Sequence, residues 1–337
     1  MPSEALDPQT SEELILSFLA DGGEDFTSGE ILSGKLGLSR TAVWKHVEAL
    51  RHKGYRIDAF PARGYRLVLI PDRLSGLEVG PLLATHDLAR TIHYEQQLES
   101  TNATAFRLAA EGAPHGEVVI AEAQTSGKGR RGRSWVSPGG LNLYASLILR
   151  PDLPPQRAPE LTLVAAVALA ETLREAGAAK AQIKWPNDVQ IGGKKVAGIL
   201  TELSSDPDRI SFVILGMGVN LNSTAADLPE DLAPLATSLG ESRGAKVPRA
   251  LFAAALFSRL EEWLDRHADD GFEPVRQAWK GLSSTLGQQI LVKTERAEFR
   301  AFAEDIDESG ALVVRREDGT LEKVIAGDVE QVRTRQR

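Results

Sequence analysis

Cysteine is absent from the 337 residues, which excludes disulfides, thiolate nucleophiles and cysteine-based zinc sites. No apolar run reaches the roughly 18 residues that would span a bilayer. The opening Met-Pro-Ser-Glu-Ala-Leu-Asp also lacks the basic and apolar stretches of an export signal. These absences lead us to expect a cytoplasmic protein with no membrane partner. Positive charge is scarce overall, because the net charge is −8. Such a chain does not coat nucleic acid indiscriminately, so any DNA contact has to be a local patch. Internal repeats and low-complexity tracts are missing too. Hydrophobic residues are plentiful at 42%, enough for a sizeable core, and the length exceeds one average domain.

The N-terminal part reads as a winged helix-turn-helix. Thr10-Ser11-Glu12-Glu13 has capping-box form and leads into Leu14, Ile15, Phe18 and Leu19 at helical spacing. Thr27-Ser28-Gly29-Glu30 repeats the box and opens a short helix to Lys35. Ser39 then caps a third helix with Val43, Val47 and Leu50 buried and Arg40, Thr41, Trp44 and Lys45 outward, stopped at Lys53-Gly54. Tyr55–Asp58 and Gly64–Leu67 flank Phe60-Pro61-Ala62-Arg63 as a wing. Between Ile31 and Leu67, eight basic residues face two acidic ones, an excess of six, the sign a groove-reading helix needs. Ser39, Arg40, Thr41, Trp44, Lys45 and Arg63 are the candidate DNA contacts, and a protein-binding role is the alternative use of such a fold. Ile70–Gly76, with Pro71 and Gly76, reads as a linker.

The central part carries the chemistry. Between the apolar strands 118–121 and 141–149 lies Thr125–Ser134, with three glycines and four cations, Lys128, Arg130, Arg131 and Arg133, and no acidic side chain of its own. Glycine lets backbone N–H groups turn toward an anion and the cations supply charge, so this loop reads as a phosphate-gripping flap, loose when empty and ordered when occupied. A solvated basic loop is the plain alternative, but a position at the rim of a sheet favours a site. Ser100 and Thr101 precede the helix 103–111 and suit helix capping. The chain continues through an apolar helix 158–176, the strand Gln182–Trp185, a hairpin joined at Gly192-Gly193, and a strand 210–216 whose glycine pair Gly216 and Gly218 allows close approach of a ligand or marks a bulge. Helices near 248–267 and 272–280 follow. From Thr285 the apolar pattern alternates in four short strands with turns at Ser309-Gly310 and Asp318-Gly319-Thr320, which suggests a small antiparallel barrel.

Gly127-Lys128-Gly129-Arg130-Arg131-Gly132-Arg133-x-Trp135, then Lys184-Trp185-Pro186-Asn187-Asp188, then Lys195-Val196-Ala197-Gly198-Ile199-Leu200-Thr201-Glu202 resemble the motifs of biotin protein ligase, in that family's order and over nearly the whole chain. With the N-terminal segment the chain is similar to the bifunctional form that is also the biotin operon repressor. The related lipoate ligases share the fold.

The resemblance implies an α+β chain: a winged helix-turn-helix over 1–69, a central class II synthetase-like mixed sheet with helices over 70–283, and an SH3-like C-terminal β-barrel over 284–337. It implies formation of biotinyl-5'-AMP from ATP and biotin, with phosphate-bound Mg²⁺ and no separate protein metal site, followed by transfer to a lysine of a carboxylase carrier domain. The adenylate would also act as corepressor, favouring a homodimer on operator DNA. The implied biotin contacts are Ser100, Thr101, Asn102, Gln124, Lys128, Gly129, Arg130, Lys195, Gly198 and Gly216. Lys128, Arg130, Arg131, Arg133, Trp135, Lys184, Asn187 and Asn220 are implied for ATP, and Lys195, Arg130 and Asp188 for catalysis. Lys194 offers the same charge as Lys195, and only family register separates them. Lys184 meets phosphate or pairs with Asp188; Trp135 and Trp185 stack on adenine or fill core. Some members carry Arg at the place of Lys128, which keeps the charge without bidentate grip. A ligand-binding repressor without transfer activity, and a ligase whose N-terminal domain leaves DNA alone, are the competing readings.

Overall fold

The computed structural model describes residues 11–23, 25–294 and 297–331. The chain forms two compact units, Met1–Arg73 and Leu74–Arg337.

In the first unit, α1 (Ser11–Asp21), α2 (Gly29–Leu36) and α3 (Arg40–His52) precede the hairpin of β1 (Arg56–Phe60) and β2 (Gly64–Leu69). Thr10, expected in the first capping box, lies outside the described residues. The second helix is capped by Ser28 rather than Thr27, its hydroxyl accepting the Ile31 amide at 3.1 Å. Ser39 caps α3 through the Ala42 amide at 3.2 Å. Val43, Val47 and Leu50 are fully buried against Ile15, Leu19 and Leu32, and this stripe turns the rest of α3 to solvent.

The second unit opens with α4 (Gly76–Val79), followed by β3 (Ile92–Leu98), α5 (Thr101–Ala110), β4 (Val118–Gln124), β5 (Leu143–Leu149) and α6 (Ala158–Glu175). Then come β6 (Ala181–Lys184), β7 (Asp188–Ile191), β8 (Lys194–Ser205), β9 (Ile210–Val219), α7 (Leu239–Arg243), α8 (Arg249–Asp270) and α9 (Glu273–Leu282). Seven strands make one sheet in the order β3-β4-β5-β9-β8-β7-β6, antiparallel except for the β3–β4 pair. Strand alternation decides which helix covers which face. Val119, Ile148, Phe212 and Ile214 meet Ala105 and Ala109 of α5, whereas Val118, Ile120, Leu147, Leu149, Val213 and Leu215 join the core that includes α6. Helix α6 packs against α8 and α9 as well as the sheet, which is why it is apolar nearly all round.

The C-terminal strands β10 (Gln289–Lys293), β11 (Glu298–Ile306), β12 (Leu312–Arg316), β13 (Leu321–Val324) and β14 (Asp328–Gln331) form an antiparallel sheet in the order β13-β12-β11-β10-β14. The sequence announces four of these strands and hides β14. Ile290, Val292, Ala303 and Leu312 belong to the same core cluster as α6.

Candidate functional site

The basic loop has a defined shape. Lys128 and Ser134 form an antiparallel bridge, Gly129 donates to Arg133 O at 2.6 Å, and Trp135 donates to Gly127 O at 2.8 Å. A Cβ at Gly127 would lie 2.4 Å from Trp135 O, so only glycine fits there. Arg131 sits at φ 54°, left-handed backbone that costs a non-glycine residue about 1–2 kcal/mol. A cleft of about 670 Å³ runs along the loop, with Leu200 and Glu202 completing its wall.

The loop's cations are not left without acidic company, as its own composition suggested. Asp328, at the start of β14, binds Arg133 and lies 3.6 Å from Arg131 Nη1 and 3.8 Å from Arg130 Nη1. Arg130 also donates to Asn187 Oδ1 and Gly327 O, both at 3.3 Å. Burial lowers the Arg130 pKa and its arginine neighbours add to this, while Asp328 and Asp188 oppose it. A guanidinium starting so high stays cationic.

Beside the loop, the structure separates Lys195 from Lys194. Lys194 is exposed. Lys195 Nζ lies 2.7 Å from Asp188 Oδ1 and 5.2 Å from the Trp135 ring centroid, a cation–π approach. The ion pair of Asp188 is therefore with Lys195, and not the pairing with Lys184 considered from sequence. Lys184 stands opposite Asp188 in the β6–β7 register. Asn187 clips β8, its side-chain amide donating to Ile199 O at 2.6 Å and its backbone carbonyl accepting the Ile199 amide at 3.0 Å.

The two motif tryptophans part company. Trp185 is 2% exposed and its indole donates to Gly310 O at 3.3 Å, so it is core. Trp135 is half-buried, and its ring fills the space a side chain would need at Gly218 and Gly198, where a Cβ would come within 2.6 Å and 3.1 Å of it. Gly216 serves another neighbour, since its Cβ would fall 2.0 Å from Asn102 Oδ1. The pairing of β9 with β5 and β8 runs unshifted through Gly216 and Gly218, which excludes a bulge, and the groups that approach these glycines closely are the protein's own Asn102 and Trp135.

The third set is polar, with Ser100, Thr101, Asn102, Ser137 and Ser146 buried and Gln124 and Glu202 half-buried. Ser100 caps α5 through the Ala103 amide at 3.4 Å. Gln124 Oε1 accepts from the Thr101 amide at 2.8 Å and from its hydroxyl at 3.1 Å, and Gln124 Nε2 donates to Ser137 Oγ at 2.9 Å. Ser146 Oγ lies 2.6 Å from Asn102 Oδ1 and 2.8 Å from Thr101 Oγ1, and Asn102 Nδ2 donates to Glu202 Oε2 at 2.7 Å. Sequence reading missed Ser137, Ser146 and Asp328 altogether. Asn220 is 4% exposed and its side-chain amide donates to Thr237 O at 3.2 Å, tying down a segment that pairs alongside Lys195.

In the first unit Ser39, Arg40, Thr41, Trp44, Lys45 and Arg63 are all exposed, Trp44 by 51%. Arg40 pairs with Glu30 at 2.8 Å, an exposed contact of little worth that a phosphate can replace. The Arg63 guanidinium stacks 4.5 Å from the Phe26 ring centroid at the wing.

Comparison with known proteins agrees with this geometry. Residues 94–220 match the model of the biotin/lipoate A/B protein ligase family, 12–66 a helix-turn-helix domain and 285–331 the biotin protein ligase C-terminal domain. The bifunctional ligase/repressor BirA of Bacillus subtilis is 39% identical over 316 residues, 94% of this chain and 97% of that protein. The Escherichia coli BirA is 31% identical over 315 residues, 94% of this chain and 95% of its own length. Among solved structures, the biotin protein ligase from Aquifex aeolicus in complex with biotin and ATP aligns with a TM-score of 0.62 and 27% identity, over 73% of this chain and 100% of that one. No helix of the described residues is long and apolar enough to cross a membrane. The chain belongs to the biotin protein ligase family, in its bifunctional form with an N-terminal helix-turn-helix domain.

Proposed function

We propose that this protein condenses biotin with ATP, carries the biotinyl group to a lysine of a carboxylase carrier domain in the cytoplasm, and represses transcription when the adenylate is bound. One observation carries the reading: the cationic loop walls a cleft whose other side, at Glu202, is hydrogen-bonded to the Asn102 amide. A carboxylate and a triphosphate meet there from opposite ends. Thr101, Asn102, Gln124 and the cap Ser100 suit a neutral urea ring, since amides and hydroxyls can both donate and accept, and Gly216 leaves room for the Asn102 carboxamide among them.

Biotin's carboxylate oxygen attacks the α-phosphorus, and the bond to the β-phosphate oxygen breaks, releasing pyrophosphate. Like charges must be brought together for this, and each cation at about 4 Å offsets roughly 4 kcal/mol at an effective dielectric near 20. In this reading Lys128, Gly129 and Arg130 take the carboxylate and α-phosphate, and Arg131 and Arg133 the outer phosphates. Lys195, beside Gly198, stabilises the α-phosphoryl oxygens as charge develops there. Asn187 holds Arg130. Trp135 offers the adenine a flat apolar neighbour, Lys184 meets phosphate oxygens, and Asn220 acts from behind by fixing the segment next to Lys195. The acceptor's ε-amine then attacks the acyl carbon, AMP leaves with the C–O electron pair, and Asp188 accepts the proton that the nitrogen sheds as the amide forms.

A phosphate-bound Mg²⁺ fits these residues as a cation carried in on the nucleotide, because Asp188, the carboxylate of the catalytic set, is already paired with Lys195 at 2.7 Å. When bound it would neutralise phosphate charge.

The test is incubation with biotin, ATP, Mg²⁺ and a carrier domain, read by mass spectrometry; absence of both biotinyl-adenylate and biotinylated lysine refutes the ligase. Adding lipoate as competitor separates the two branches of the family. For repression, the exposed face of α3 and the wing Arg63 contact operator DNA in a homodimer. An electrophoretic shift of the protein's own upstream DNA should require biotin plus ATP, and Lys45→Ala should reduce its salt slope by about one.

A further inference from the structure

We infer that Asp328 is a positioning residue for the nucleotide: its carboxylate gathers the arginines of the basic loop and holds them as one cluster. The inference rests on the reading of that loop as the phosphate grip. Three guanidiniums belonging to four consecutive residues repel one another, and each of the two neighbours already lowers the pKa of Arg130. A flexible loop would relieve this by splaying its side chains into solvent. Instead all three point at one spot on the C-terminal sheet, where β14 begins beside the end of β10, with Asp328 opposite Lys293.

That spot offers acceptors in a row. Asp328 binds Arg133 and lies within 3.8 Å of the other two, Gly327 O accepts from Arg130 at 3.3 Å, and Lys293 O accepts from Arg131 at 3.5 Å. The left-handed backbone at Arg131 persists in this setting. The Asp328 side chain is 21% exposed, so its attraction is screened less than that of a surface pair. A single carboxylate among three guanidiniums still leaves the cluster positive. It can therefore assemble the grip without cancelling the charge a triphosphate needs. Arg133 and Arg131 lie nearer to Asp328 than Arg130 does, so the outer phosphates should feel its loss more than biotin's carboxylate.

The full-length protein decides this with two readouts. The first is limited trypsin cleavage between Lys128 and Arg133, followed by mass spectrometry; it needs no ligand and keeps its meaning even if the protein makes no biotinyl-adenylate. Asp328→Asn should be nicked there about fivefold faster than wild type, and Asp328→Glu at close to the wild-type rate. The second is adenylation kinetics, where Asp328→Asn should raise the KM for ATP about tenfold, with kcat and the KM for biotin each changed less than threefold. Arg133→Gln, a change in a side chain that is 64% exposed, keeps the test open should Asp328→Asn fail to fold. It should raise the KM for ATP similarly, and the double variant should be no worse than either single one. Unchanged nicking, or a KM for ATP that stays the same or falls, overturns the inference, and so does strict additivity in the double variant.

Discussion

Gly216→Ala is the change that most directly tests how the pocket is built. The new Cβ would lie 2.0 Å from Asn102 Oδ1, 2.8 Å from its Cγ and 3.0 Å from its Nδ2. Contact needs more than 3 Å, so the Asn102 carboxamide must withdraw by about 1 Å or more. It has nowhere inexpensive to go. Its oxygen lies 2.6 Å from Ser146 Oγ, and its nitrogen donates to Glu202 at 2.7 Å and to Leu200 O at 3.3 Å, in a residue only 4% exposed. Overpacking costs about 1–3 kcal/mol, and each buried polar group stripped of its partner costs about as much again. We therefore expect a loss of about 3–4 kcal/mol in denaturant unfolding, and biotin affinity reduced tenfold or more by calorimetry. The sharper readout is the double variant. With Asn102→Ala the clashing atoms are gone, so adding Gly216→Ala should cost less than about 1 kcal/mol. Equal costs in both backgrounds would show that Gly216 is not reserved for Asn102, and unchanged biotin affinity would remove this corner from the binding site.

Three further outcomes follow from named contacts. Lys195→Ala should slow adenylate formation about a hundredfold or more while Lys194→Ala stays within threefold, measured by pyrophosphate release; equal effects would refute the assignment by geometry. Asp307, 7% exposed in its side chain, accepts from Lys323 at 2.7 Å, the Ser309 hydroxyl at 2.7 Å and the Ser309 and Ala311 amides at 2.9 and 3.1 Å. Burial alone would raise its pKa, but these bonds outweigh it and pull the value from 3.8 to about 2. Its stabilisation is therefore complete above about pH 4 and fades as the pH falls toward 2. Asp307→Asn should cost about 1–3 kcal/mol at pH 7 and flatten unfolding free energy across that window. An unchanged acid limb would contradict this. Arg249, 1% exposed, donates to Glu122 Oε2 at 2.7 Å, with Tyr94 donating to the same carboxylate at 3.0 Å. Arg249→Ala strands a buried anion and should destabilise by about 3–5 kcal/mol; a loss below 1 kcal/mol in urea titration would refute that.

What could be read from sequence was whatever is local or periodic. The α3 stripe of Val43, Val47 and Leu50, the Gly192-Gly193 hairpin with both glycines at positive φ, and the glycine-cation loop all depend on neighbours in the chain. β3 runs further than its apolar start because Glu95, Gln96 and Gln97 lie on the sheet's edge, where polar side chains are tolerated. β14 escaped for the same reason: at four residues, with Asp328 and Glu330 among them, it carries little apolar pattern. The pairings that complete the site are long-range and leave no periodic trace. Asp328 is 195 positions from Arg133 and Glu122 is 127 from Arg249. Even within a motif, spacing shows that Trp135, Trp185, Lys194 and Lys195 are present but not which way each faces. Trp185 turns into the core toward Gly310, and Trp135 lies over two glycines beneath Lys195. The division has a physical cause. Local geometry is set by φ/ψ and side-chain period, whereas neutralising a cluster of like charges needs only a carboxylate brought within about 4 Å, from any point in the chain that the fold can deliver.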